Sequence, residues 1–258
     1  MLHSCNTFLK SLSLLEINSN LNKIIMKKVA SLLFVVAILS SIASGQEKET
    51  RDVKGFTKVN FGISGDLKIK IGPEFSVVIE GDKSDLKEVI TEVSGDRLVI
   101  KQENWRFNFN FNEKVHVYIT MPELNSLGVS GSGNAEILDP IKGADNLNFS
   151  VSGSGRLTTA ELEADNLECG ISGSGNIYIN AAGKADRGNI SISGSGNYKG
   201  ESMEIDHLEV HVSGSGNCTC RAGDSLKASI SGSGNVSYYG NPKIDARASG
   251  SGHVRSMN

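Results

Sequence analysis

The chain has 258 residues, of which 21% are charged, and a formal net charge of −3. That balance excludes the basic footprint of a nucleic-acid binder. Of its four cysteines, Cys5 lies in a segment expected to be lost, and the remaining Cys169, Cys218 and Cys220 are odd in number and without framework spacing, which excludes a disulfide-stapled fold.

Residues 1–25 carry no clear pattern and read as a mis-called extension upstream of a start at Met26. Met26-Lys27-Lys28, an apolar run from Val29 to Leu39 and small residues from Ser40 to Gly45 predict a secretory signal over 26–45, cleaved after Gly45. The apolar run is too short for a permanent span, and no cysteine stands at the cleavage site to carry a lipid. The mature chain is therefore expected to be exported without a transmembrane span, to the periplasm, the outer-membrane surface or the medium.

Residues 46–52 read as a linker, and residues 53–121 as degenerate coils and a cap. Ile63-Ser64-Gly65-Asp66-Leu67 and Val93-Ser94-Gly95-Asp96-Arg97-Leu98 look like worn copies of a phrase that becomes regular later. The steps from Gly65 to Gly95 to Gly131 are 30 and 36 residues, so each contains an insertion. The first, Asp82 to Ile90, predicts a short helix with Ser84 as a possible N-cap. The second alternates Trp105, Phe107, Phe109 and Phe111 with Arg106 and asparagines, which puts the aromatics on one strand face. They either cover the open end of a core or form an exposed recognition or self-association strand. An irregular N-terminal cap on one continuous solenoid is expected; the alternative is a separate small β-domain.

From residue 122 to 258 the chain repeats Ser-Gly-Ser-Gly seven times. The pairs are Gly131/Gly133, Gly153/Gly155, Gly173/Gly175, Gly194/Gly196, Gly214/Gly216, Gly232/Gly234 and Gly250/Gly252, at steps of 22, 20, 21, 20, 18 and 18 residues. Before each pair apolar residues alternate with polar ones, as in Leu147-Phe149-Val151 and Leu167-Cys169-Ile171, and the alternation resumes after it. A period of two marks a strand with one buried face. Each repeat is thus strand, glycine turn, strand and a looser second corner. About twenty residues of this kind make one coil of an all-β solenoid with two flattened sheets, coils stacked ~4.8 Å apart. A corner repeated in every coil needs positive φ or close backbone approach, so the fourteen glycines are expected to be structural turns.

Repeated Ser-Gly-Ser-Gly-Asn between short strands, behind a signal and an N-terminal β region, resembles the bacterial auto-transporter adhesin head, or GIN-domain, family. The resemblance covers roughly Val53 to Asn258. It implies a right-handed parallel β-helix shaped like pectin lyases without their catalytic residues, acting in adhesion. An auto-transporter's C-terminal membrane barrel is not expected, since the chain stops soon after the last repeat.

Three constellations invite a functional reading. Asp145, Asp165, Asp186, Asp206 and Asp224 sit eight residues before their glycines, with Glu123 in line, and stack at the expected second corner. They read as Asx caps or as a calcium ladder between coils; the missing glycine-aspartate nonapeptide favours caps. Serines from Ser130 to Ser249 and asparagines Asn134, Asn176, Asn197, Asn217 and Asn235 line the glycine turn, as hydrogen-bonded ladders or as a flat surface for glycans. The aromatic strand is the third. The cysteines fall on inward positions and His211 on an outward one, so no zinc site is expected. No nucleophile elbow, P-loop or zinc motif occurs, and no cofactor is expected. The expectation is a non-enzymatic envelope protein binding a surface glycan or another envelope protein. The alternatives are a β-helix polysaccharide-processing enzyme and a purely structural protein.

Overall fold

The computed structural model describes residues 46–103 and 115–258. The predicted signal and the aromatic run Trp105, Phe107, Phe109 and Phe111 lie outside the described residues. The N-terminal part holds β1 (Gln46–Arg51), β2 (Lys58–Gly62), β3 (Gly65–Ile71), β4 (Ser76–Asp82), α1 (Lys83–Glu88), β5 (Val89–Ser94), β6 (Arg97–Gln102) and β7 (Val115–Met121). The repeats supply β8 (Ser126–Gly131), β9 (Asn134–Ile137), β10 (Ile141–Gly153), β11 (Arg156–Thr159), β12 (Leu162–Gly173) and β13 (Asn176–Ile179). They continue as β14 (Gly183–Gly194), β15 (Asn197–Gly214), β16 (Asn217–Gly232), β17 (Asn235–Tyr239), β18 (Lys243–Gly250) and β19 (His253–Ser256). Together they form an all-β solenoid of about seven turns.

One coil shows why. In β12 the residues Leu167, Cys169 and Ile171 are buried while Glu168 and Ser172 are exposed. Parallel pairing is in register through the stack, so Phe149, Cys169, Ile190, Val210, Ala228 and Ala246 form one inward row and Val151, Ile171, Ile192, Val212, Ile230 and Ala248 another. Each fully buried Leu, Ile, Val or Phe contributes roughly 1.5–3 kcal/mol, and no single coil could bury such a row alone.

The two glycines of the phrase divide between them the two reasons the sequence offered, positive φ at the first and close backbone approach at the second. The first has positive φ in every repeat, from +81° at Gly131 to +126° at Gly232. The second does not: Gly133, Gly155, Gly175, Gly196, Gly216, Gly234 and Gly252 all have ordinary φ. They are buried residues that follow the turn, and what excludes a side chain there is lack of room. A Cβ on Gly155 would stand 2.5 Å from the Gly133 carbonyl oxygen and 2.9 Å from Val129. On Gly175, Gly196, Gly216, Gly234 and Gly252 it would likewise meet the carbonyl oxygen of the second glycine one coil back and an inward Val or Ile of that coil. Closeness serves the ladder, because Ser154 N–H donates to Gly131 O at 2.8 Å and Arg156 N–H to Gly133 O at 3.0 Å, a pattern that recurs through the middle coils.

The N-terminal coils are stacked out of chain order. β2 lies between β6 and β8, and β3 between β7 and β9, all parallel. Asp66 pairs with Asn134, so Gly65 matches the second glycine of the phrase, and the place of the first is taken by buried Ile63. The Gly95 phrase is no corner of the solenoid. It is the turn of an antiparallel hairpin joining β5 to β6, with Gly95 at φ +64°. β4 adds antiparallel to β7 and β1 to β4, so antiparallel strands close this end of the stack. The predicted helix is present as α1 and buries Leu86, but its N-cap is Asp82 rather than Ser84. At the other end β18 is exposed at every position, including the inward-row residue Ile244.

Candidate binding groove

The long strand of each coil carries a feature absent from the sequence reading. In β12 the inward residues are Leu162 and Ala164, then Leu167, Cys169 and Ile171. The two between, Asp165 and Asn166, both face outward, so the alternation skips one step. A strand with period two can do this only by bending. The same polar doublet recurs as Asp186-Arg187 and Asp206-His207, while in β16 Gly223 is inserted beside Asp224-Ser225.

The doublet displaces the expected second corner. The aspartates lie inside continuous strands and the chain turns elsewhere, at residues 138–140, 160–161 and 180–182. They are therefore neither Asx caps of a corner nor, among the described residues, part of any group of three or more His, Cys, Asp or Glu side chains placed to hold a metal. Asp206 instead pairs with Lys184 at 3.2 Å, and this contact lifts the Lys184 ammonium above its usual range.

The bend opens a groove along the stack. One wall is the in-register column Asn146, Asn166, Arg187, His207 and Ser225; the other is Asn148, Glu168, Asn189, Glu209 and Lys227. Between them the chain passes through Leu147, Leu167, Gly188 and Leu208, whose leucine side chains turn into the core, and the cavity measures about 570 Å³. Bonds along each wall fix it. Asn166 Nδ2 donates to Asn146 Oδ1 at 3.2 Å, Arg187 Nε donates to Asn166 Oδ1 at 2.9 Å, and His207 Nδ1 contacts Ser225 Oγ at 3.1 Å. Opposite, Asn148 Nδ2 donates to Glu168 Oε2 at 2.7 Å and Lys227 Nζ to Glu209 Oε1 at 2.6 Å. The Lys227 ammonium holds the Glu209 carboxyl below the usual carboxylate range, with His211 adding to the effect. A general acid needs the opposite shift. A second cavity of about 850 Å³ shares Asn146 and Asn148 and runs toward the N-terminal coils past Lys142, Asn125, Lys58 and Arg97.

The other sequence candidates fall elsewhere. Asn197 Nδ2 donates to Asn176 Oδ1 at 2.8 Å, Asn217 to Asn197 at 3.0 Å and Asn235 to Asn217 at 3.1 Å, so these amides are engaged with one another. The serines beside them stack in register and stay exposed. Cys169, Cys218 and Cys220 are free and buried around Tyr198. Sequence reasoning missed the groove, although the doublets that break the alternation were its signal.

Fold and site together define a parallel β-solenoid with a polar groove crossing its coils. The chain belongs to the family described as "Putative auto-transporter adhesin, head GIN domain", whose model matches residues 55–242. Among solved structures it is similar to a "putative adhesin" from Bacteroides fragilis NCTC 9343, at TM-score 0.76 and 23% identity over 83% of this chain and 98% of that one. It is also similar to a "putative adhesin" from Parabacteroides distasonis ATCC 8503, at TM-score 0.65 and 25% identity over 82% and 97% of the two chains. A "Putative lipid binding protein" from the same organism reaches TM-score 0.65 at 24% identity over 84% and 98%. No curated protein matches the chain. No helix among the described residues is long and apolar enough to cross a membrane.

Proposed function

We propose that this protein is an exported, non-enzymatic binding protein of the cell envelope that holds a neutral glycan chain along its groove. The observation that carries the reading is the pairing of two polar walls that run in register from coil to coil. Amides, an imidazole, a guanidinium and carboxylates in fixed positions offer donors and acceptors to hydroxyls. Two cations, Arg187 and Lys227, stand against two carboxylates, Glu168 and Glu209, which matches an uncharged ligand. Coils ~4.8 Å apart advance by a step comparable to one sugar residue, so an extended chain meets equivalent groups in successive coils. Membership of an adhesin family supports adhesion as the purpose of such binding.

The test is a glycan array probed with the exported chain and with an Arg187→Ala/His207→Ala variant. Retention of neutral oligosaccharides that is lost in the variant supports the reading. Binding unchanged by the double substitution overturns the groove as the site. Release of shortened products from a bound polysaccharide overturns the non-enzymatic assignment.

A further inference from the structure

A second surface lies on the short strand runs after the glycine corner, a full strand run away from the groove. From β11 onward these runs are residues 156–159, 176–179, 197–201, 217–221, 235–239 and 253–256. Their outward positions include Arg156, Lys199, Arg221 and Arg255, with Tyr178 and Tyr239 between them. The other outward residues of these runs are Asn, Thr, Ser and His, and the one carboxylate that continues them is the exposed Glu201 beside Arg221. The face begins at β11, since β9 before it carries Glu136 opposite Thr158. A chain of net charge −3 thus carries one face on which four cations stand with a single carboxylate.

These cations are positioned without being neutralised. The Arg156 guanidinium lies 5.4 Å from the centre of the Tyr178 ring and the Lys199 ammonium 5.9 Å from it, one coil to either side. Arg221 lies 5.4 Å from the Tyr239 ring and donates through Nε to the Glu201 backbone carbonyl at 3.0 Å. Arg255 donates through Nε to Ser237 Oγ at 3.2 Å. Among the described residues no carboxylate forms an ion pair with any of the four. Elsewhere on the same solenoid Lys142, Lys184 and Lys227 each have one. Rings, a carbonyl and a hydroxyl restrict the rotamers but leave the full charge facing solvent.

From these observations we infer that this face binds an acidic polysaccharide. Charge complementarity selects a polyanion. The cations extend over five coil steps of ~4.8 Å, about 24 Å in all, which fits a linear chain of repeated anionic groups better than one small anion. The hydroxyls and amides of the intervening Thr158, Thr219, Asn197 and Asn217 add neutral hydrogen-bonding groups between the charges. No exposed aliphatic or Phe/Trp side chain stands on these outward positions to enter a bilayer, which disfavours a lipid surface.

The test measures binding of the exported chain to dextran sulfate, with uncharged dextran, duplex DNA and phosphatidylglycerol vesicles alongside. Expected is retention of dextran sulfate at about 0.15 M salt or below, weakening steeply as salt rises. A variant carrying Arg156→Gln, Lys199→Gln, Arg221→Gln and Arg255→Gln should bind at least about tenfold more weakly. Thr219→Glu, which keeps every cation but places a carboxylate among them, should weaken binding in the same direction and guards against a folding defect in the quadruple variant. The groove variant Arg187→Ala/His207→Ala should bind dextran sulfate like the parent, which separates this face from the groove. Equal binding by the quadruple and Thr219→Glu variants and the parent overturns the inference. So does preference for vesicles or DNA over dextran sulfate, or failure to retain dextran sulfate even at low salt.

Discussion

The carbonyl oxygen of Gly194 stands 2.5 Å from the point where a side chain on Gly214 would begin, and Gly214 holds φ +117°. Two independent penalties meet at one atom: a backbone conformation that L-residues avoid and a neighbour that cannot move, because its carbonyl accepts from Ser215 N–H at 2.8 Å. Gly214→Ala should cost about 3 kcal/mol or more. Gly170 in β12 has open space where its Cβ would be and no positive φ, so Gly170→Ala should be neutral or stabilise by about 0.4–1 kcal/mol. Urea denaturation of the pair checks this, and a tolerated Gly214→Ala would refute the tight corner.

The asparagine ladder predicts a directional effect. Asn197 donates to Asn176 and accepts from Asn217. Asn197→Ala removes both bonds and should lower stability by about 1–2 kcal/mol. Asn197→Asp keeps the acceptor but loses the donor toward Asn176 while ionised. Its deficit should therefore shrink in acid, as the carboxyl regains a proton to donate. Denaturant midpoints of both variants at neutral and acid pH would show it.

Two exposed ion pairs act on opposite limbs of the pH profile. Glu209 is held below its ordinary value by Lys227, so its contribution is present above the unfolded carboxyl pKa and is lost as pH falls through the lower folded value. Lys184 is raised by Asp206, so its contribution is present below the unfolded lysine pKa and is lost as pH climbs through the higher folded value. Lys227→Met should move the Glu209 titration, followed by carboxyl NMR, back toward the usual range. Asp206→Asn should move that of Lys184 down.

The core around Tyr198 predicts inert thiols. Burial pushes Cys169 and the Tyr198 phenol well above their usual pKa values, and the neighbouring Cys220 together with burial does the same to Cys218. The three thiols should resist alkylation in the native protein and react once it is unfolded, as read by peptide mass mapping. The Tyr198 hydroxyl is buried and has no hydrogen-bond partner among the described residues. Tyr198→Phe should therefore be neutral or stabilise the fold by up to about 1–3 kcal/mol.

Calcium at millimolar concentration should leave the thermal midpoint unchanged, because the aspartate column faces outward at the bend and Asp206 already pairs with Lys184. A rise of many degrees, abolished by Asp165→Ala/Asp186→Ala, would restore the ladder reading.

The coil was legible because its two determinants are local. Alternation such as Leu167-Cys169-Ile171 names the inward rows, and Gly173/Gly175 marks the corner. The division of labour within the pair was not legible, because a glycine kept for its φ and one kept for lack of space, such as Gly173 and Gly175, are the same letter. The groove was harder to see because Asp165-Asn166 looks like an ordinary polar pair until the register shows that both residues face outward. The order of the first coils was hidden entirely. Nothing near Gly95 distinguishes a hairpin turn from a solenoid corner, since both ask for a positive-φ glycine, and only the antiparallel pairing of β5 with β6 decides it.

That order has a kinetic consequence. In a solenoid stacked in chain order, each new coil can condense on a finished one, and structure spreads from neighbour to neighbour. Here the coil formed by β2 and β3 is flanked on one side by β6 and β7 and on the other by β8 and β9, all later in the chain. The first coil in chain order therefore has no earlier neighbour to pack on: Lys58 must wait for Arg97 on one side and for Ser126 on the other. Loop-closure entropy falls on this segment before any pairing repays it. The repeats from β10 onward carry no such delay, so assembly of the N-terminal coils, rather than growth of the repeat array, should set the folding rate.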